Sequence, residues 1–289
     1  MINYNELFEK SKELANKSGL TQLELYQRFM FERILERISV SKYNSNFILK
    51  GGLLLSAMLG IESRSTRDMD ISIKGIDVSK EKMLDVLNEI LSIDVNDKVK
   101  FKVVDISDIR EDDEYGGNKY HLVGKLENLK VALEIDISTG DEITPRELNY
   151  EYHSLFENKK IYIDSYNIET ILAEKIETIL RRGKYNARMK DYYDIYFFLS
   201  KLNAEINIDI FRQALENTIM QRDSSEYMKD YNKILDELLT NDRIHKNWNS
   251  YRSKTKYAEN IDFDDIINIL VAFLNDNIKE EINIKICLT

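Results

Sequence analysis

Cysteine and proline are almost missing from this 289-residue chain: Cys287 and Pro145 are each the only one of their kind. A single cysteine excludes an internal disulfide and any site built from several thiolates. A single proline removes the usual marker of element ends, so boundaries must come from hydrophobic pattern. No apolar run approaches the roughly 20 residues that a membrane-crossing helix needs, and the opening Met1-Ile2-Asn3-Tyr4-Asn5-Glu6 resembles no signal peptide. The three histidines, His121, His153 and His245, lack metal-ligand spacing, which speaks against zinc. No Gly-x-Ser-x-Gly or Cys–His pattern points to hydrolysis by a protein nucleophile. Repeats and low-complexity tracts are lacking too. The expectation is a cytoplasmic protein without a membrane partner. Acidic residues outnumber basic ones 51 to 41, a net charge of −10, which argues against broad nucleic-acid binding but leaves room for a local basic groove.

What the chain does have is a compact constellation near residue 50. An apolar run, Phe47-Ile48-Leu49, stops at Lys50-Gly51-Gly52; a short apolar stretch follows, and the chain returns through Arg64-Ser65-Thr66-Arg67-Asp68-Met69-Asp70-Ile71. Two glycines let backbone N–H groups approach an anion with no Cβ in the way. Asp68 and Asp70, two apart on a strand, share a face. Carboxylates crowded on one face are costly without a cation between them, and hard oxygen ligands suit magnesium. A tight turn explains Gly-Gly alone, and a solvated pair on an edge strand explains Asp-x-Asp alone. Their order in one unit, with a further acid on a later strand, points instead to a phosphate cradle beside a metal pair.

The surrounding pattern predicts an α+β fold, a mixed sheet flanked by helices and followed by a helical C-terminal domain. Leu23, Tyr26, Met30, Ile34 and Ile38 recur at helical steps within two N-terminal helices. Strands are expected at 47–50, 69–73, 99–106, 119–126, 130–137 and 161–163. Helices are expected at 53–59, after a Ser79 cap, and at 168–182, 189–202, 208–220, 231–239 and 263–274. Gly116-Gly117 and Glu127-Asn128 read as turns. In the 130–137 run the aliphatic set alternates with Glu134 and Asp136, which therefore share the opposite face. The domain reading is 1–165 for the mixed part with its N-terminal helices and 166–289 for the helical part.

Metal-dependent nucleotidyl transfer needs a held triphosphate, a divalent ion on its oxygens, and a base for the attacking hydroxyl. Gly51 and Gly52 can supply the first and Asp68 with Asp70 the second. Asp136, or less strongly Glu134, can complete the ligand set or act as base. Two basic groups, one of Lys175, Arg181, Arg182, Lys184, Arg188 and Lys190, the other of Arg243, Lys246, Arg252, Lys254 and Lys256 around Trp248, Tyr251 and Tyr257, suit a nucleic-acid backbone with stacked bases. A solvated helix face accounts for either group nearly as well.

The Gly-Gly…Asp-x-Asp…Asp layout resembles the nucleotidyltransferase superfamily of DNA polymerase β type. The fuller string Lys50-Gly51-Gly52…Arg64-x-Thr66-x-Asp68-x-Asp70 resembles the AbiEii toxin family, to which the mycobacterial MenT toxins are related. Ile168-Glu169-Thr170-Ile171-Leu172-Ala173-Glu174-Lys175, Arg181 and Lys190-Asp191-Tyr192-Tyr193-Asp194-Ile195-Tyr196 resemble that family's helical signature. Gly52 stands where the broad superfamily usually has serine. The resemblance implies a toxin of a type IV toxin–antitoxin system, active in abortive phage infection or plasmid maintenance. It implies Mg²⁺ (or Mn²⁺) on Asp68, Asp70 and Asp136, and a nucleoside triphosphate, GTP, against Gly51, Gly52, Arg64, Thr66 and Lys175. It also implies that Asp191 organises the nucleotide or the metal, that the acceptor is a tRNA 3′ end, and that the cognate antitoxin need not touch the toxin. Transfer to a small molecule or protein, and GTP binding without turnover, remain the alternatives.

Overall fold

The computed structural model describes residues 2–62, 64, 66–77, 79–109, 117–140 and 142–278. They form two compact units, Met1–Asp141 with Glu147–Tyr166, and Glu142–Arg146 with Asn167–Thr289. Cys287 and Gly116 lie outside the described residues.

The first unit opens with α1 (Tyr4–Ser18) and α2 (Gln22–Val40), each started by a capping box, Asn3 with Glu6 and Thr21 with Glu24. Helix α2 departs from the simple amphipathic stripe. Every residue from Arg28 to Ile38 is buried, whereas Leu23 is exposed. The buried charges are paired: Arg37 forks onto Asp97 at 2.6 and 2.8 Å, and Glu32 accepts from Ser154 Oγ at 2.6 Å and Leu155 N at 2.9 Å.

A seven-stranded mixed sheet packs on α2. Its strands are β1 (Phe47–Lys50), β2 (Asp68–Ile73), β3 (Lys100–Asp108), β4 (Gly117–Leu126), β5 (Leu129–Thr139), β6 (Leu148–His153) and β7 (Lys160–Ser165). The order is β3-β4-β5-β2-β1-β7-β6. Strands β2 and β5 are parallel, β1 and β2 antiparallel. Strand β6, which His153 ends, was not expected. The sheet buries Met69, Ile71, Val131, Leu133, Ile135 and Ile137 on one face, and the intervening polar residues fall on the other. Two short helices complete this unit, α3 (Gly51–Leu59) against β1 and β2, and α4 (Lys80–Ser92) against β3. Ser79 precedes α4 as expected, but its side chain makes no capping hydrogen bond.

The second unit is helical: α5 (Ile168–Arg182), α6 (Met189–Lys201), α7 (Ile208–Gln221), α8 (Ser225–Lys229), α9 (Tyr231–Leu239), α10 (Asp242–Arg252) and α11 (Phe263–Ile278). Helices α8 and α10 went unread in the sequence. The segment Glu142–Arg146 joins this unit through Thr144, whose carbonyl accepts from Asn167 and whose hydroxyl accepts from Asn217. Among the described residues no helix is long and apolar enough to cross a membrane.

Candidate active site

Strand β1 delivers the chain directly into α3 at Gly51, where φ is +63°, a left-handed value that suits glycine. Space is as tight as conformation here. A Cβ on Gly51 would lie 1.9 Å from Asp70 Oδ2, and one on Gly52 would lie 2.4 Å from Thr66 Oγ1. The first turn of a helix has spare N–H donors, and Gly52 N donates to Asp70 Oδ2 at 3.2 Å. The glycine bend and the acidic strand are therefore in direct contact.

Register builds the rest. Lys50 pairs with Asp70, Asp70 with Asp136, Asp136 with Lys119, and Lys119 with Ser107, one row across five strands. Two residues away, Asp68 pairs with Glu134, Glu134 with His121, and His121 with Asp105. Side chains opposite one another, or two apart, share a face. The sheet thus gathers Asp68, Asp70, Asp136 and Glu134 on the face away from the aliphatic core.

The electrostatics follow from that crowding. Burial, then the charges of Asp68 and Asp136, push the Asp70 carboxyl up to about 6, against the pull of Lys50 and Gly52 N–H. Burial also raises Asp136, opposed by Lys119 and aided by Asp68 and Glu134. The Lys119 ammonium lies 2.9 Å from Asp136 Oδ1 and 3.2 Å from Glu134 Oε2. Partial burial works against its charge, but these two carboxylates outweigh it and raise its pKa. His121 bridges Ser107 Oγ at 3.1 Å and Glu134 Oε1 at 3.5 Å.

Among the described residues, no three acidic or histidine side chains converge as they are turned here. Asp68 Oδ1 accepts from Thr66 Oγ1 at 2.6 Å, Asp70 Oδ2 faces Gly52, and Asp136 faces Lys119. The donor set still fits a hard divalent ion. Three carboxylates share one face, and Asp136 Oδ1 is buried without a well-aligned hydrogen bond despite the nearby ammonium. Arg64 is buried, and Arg67 is exposed and paired with Glu24 at 3.1 Å.

The remaining sequence-predicted residues lie in the helical unit. Lys175 on α5 reaches Asp191 Oδ1 at 2.6 Å and Asp194 Oδ2 at 2.9 Å on α6, and Arg188 Nε lies 3.1 Å from Asp191 Oδ2. Glu177, two residues on from Lys175, is engaged by Arg181 and Arg222. The aromatic part of the second basic group is a correction. Trp248 is buried and donates to Ile261 O at 2.9 Å, so its indole is core rather than a stacking surface, while the half-buried Tyr251 and Tyr257 meet through their hydroxyls at 3.1 Å. Lys119 and His121 escaped the sequence reading. Their signal was the period-two alternation of β4, which sets them opposite Asp136 and Glu134.

A sheet carrying a glycine bend against Asp-x-Asp, with a third acid on the neighbouring parallel strand, is the arrangement of a nucleotidyltransferase core. The family described as "Nucleotidyl transferase AbiEii toxin, Type IV TA system" matches residues 33–269. The chain belongs to this family of type IV toxins and is a nucleotidyltransferase. The fold is similar to that of JHP933 from Helicobacter pylori, at 16% identity and a TM-score of 0.51, over 87% of this chain and 90% of that one. A second H. pylori chain, described only as a candidate nucleotidyltransferase, aligns at 16% identity and a TM-score of 0.48, over 87% and 92% of the two chains. No curated protein matches.

Proposed function

We propose that the polar sheet face of the first unit is the catalytic centre and that the protein transfers a nucleoside monophosphate from GTP to the 3′ end of an RNA, tRNA above all, with release of pyrophosphate. The observation that carries this reading is the contact of the Gly51-Gly52 bend with Asp70 while Asp70 stands in register with Asp136. In it, Asp68, Asp70 and Asp136 hold Mg²⁺ or Mn²⁺. Such an ion, when bound, neutralises polyphosphate and the charge that develops on transfer. The backbone at Gly51 and Gly52 seats phosphate oxygens in the space that a Cβ would fill, with Thr66 beside it. Asp136, the carboxylate on the outer strand of the group, takes the proton of the attacking hydroxyl. Lys175, whose ammonium Asp191 and Asp194 fix, and Arg64 keep the nucleotide-binding assignment that the family resemblance implies. The physiological consequence is growth arrest in phage defence, reversed by an antitoxin.

Incubating the purified chain with each labelled nucleoside triphosphate, Mg²⁺ and total RNA tests the reading. Label on tRNA that depends on Asp68 and Asp70, and is strongest with GTP, is the expected result. Label on protein or on a small molecule alone overturns the acceptor. GTP retention without any product overturns transfer.

A further inference from the structure

Along the row Lys50, Asp70, Asp136, Lys119, Ser107 the charges run base, acid, acid, base, neutral. Lys50 stands at the Asp70 end of the proposed ion site and Lys119 at the Asp136 end, where it is seated on two carboxylates with different duties. Asp136, the inner one, belongs to the group with Asp68 and Asp70. Glu134, the outer one, is more exposed and also faces His121 Nδ1. The ammonium is within 3.2 Å of both, so a small rotation of a flexible stem transfers it from one to the other. A divalent ion on Asp136 Oδ1 meets an ammonium 2.9 Å from the same oxygen, and repulsion between the two cations weakens the hold on the ion while the ammonium stays there.

We infer that Lys119 is a built-in competitor for the divalent ion, with Glu134 as the carboxylate that takes its ammonium when the ion binds. The inference rests on the metal reading above and adds a positioning residue to it. Lys119 sets how tightly the site holds its ion, and Asp136 stays paired until the ion displaces the side chain. Site affinity is thereby held down to a level at which ion and nucleotide arrive together, rather than the ion staying permanently bound.

Titrating the full chain with Mn²⁺ alone, read by loss of the free-ion paramagnetic resonance signal, decides the matter. Lys119→Met is expected to bind Mn²⁺ roughly tenfold tighter, the gain from removing one nearby positive charge at a half-exposed site. Lys125→Met removes the same charge six residues further along β4, about 20 Å away, and is expected to change affinity by less than about twofold. Lys119→Gln, which keeps a polar side chain, repeats the gain, so misfolding of one variant does not decide the outcome. Unchanged or weaker binding by the folded Lys119 variants, or an equal gain in Lys125→Met, overturns the inference and leaves the metal site standing. No binding by any chain, with Asp70→Asn indistinguishable from the rest, overturns the metal reading and this inference with it.

Discussion

The two charged clusters of this protein are built from the same residue types to opposite ends. In the helical unit Lys175 and Arg188 face Asp191 and Asp194, two bases for two acids, with Asp194 wholly buried. On the sheet, four carboxylates, Asp68, Asp70, Glu134 and Asp136, share one face; Lys119 pairs with Glu134 and Asp136, and the charge of Lys50 acts on Asp70. A balanced buried cluster is satisfied internally, and breaking it strands a charge. An unbalanced one carries repulsion in the fold, evident in the upward push on Asp70 and Asp136, and is suited to an added cation. Charge balance, more than residue type, is what distinguishes the two clusters.

That contrast can be broken most sharply at Asp70. Asp70→Asn is expected to lower nucleotidyl transfer roughly a thousandfold while making the protein in EDTA about 1 kcal/mol more stable to urea, since a buried repulsion is relieved. Loss of both activity and stability would erase the distinction. Asp194→Ala should do the reverse for the fold, costing about 3 kcal/mol by leaving Lys175 short of a partner; a neutral result in urea unfolding would show that this cluster is not structural. Gly52→Ala tests the tight approach to Thr66 and is expected to cost about 2 kcal/mol through the clash, with a matching fall in nucleotide affinity read by calorimetry.

The smallest effect is expected in the apolar layer. Tyr120 is fully buried with an unpartnered hydroxyl, and burial pushes its phenol up to about 12. Because the folded value exceeds the ordinary one near 10, its contribution to stability is whole below about pH 10 and is lost as pH rises through about 12. Tyr120→Phe should be neutral or stabilising by about 1 kcal/mol at pH 7, and its stability should fall less steeply between pH 10 and 12.

Much of the candidate site's geometry was legible because its signals are local. A Gly-Gly between an apolar run and a helix, and acids two apart on a strand, report backbone geometry within a few residues. Glu134 and Asp136 were readable as a pair by alternation. Their alignment with Asp68 and Asp70 was not, since parallel pairing of β2 with β5 joins residues 66 apart, Asp70 with Asp136, through register that no local pattern encodes. Helix α2 misled for a related reason. Its stripe predicts one buried face, but the sheet and loop 94–98 cover the others, and the charges there are tolerated only because Asp97, Ser154 and Glu157 reach in from distant sequence.

The Trp248 cluster shows the same limit from the other side. Basic residues with aromatics at helical spacing look alike whether they grip a ligand or fill a core, because composition carries no record of what packs against it. What this chain's residues determined by themselves was the α+β class, the strand–glycine–helix bend, the same-face placement of Asp68 with Asp70, and membership in a toxin family. Each rests on periodicity or short motifs, where neighbours in sequence are neighbours in space. Only the tertiary structure decided that Asp136 stands beside Asp70, that Lys119 sits on Asp136, and that Lys175 is clasped by two acids, since such contacts depend on strand register and helix packing between remote segments.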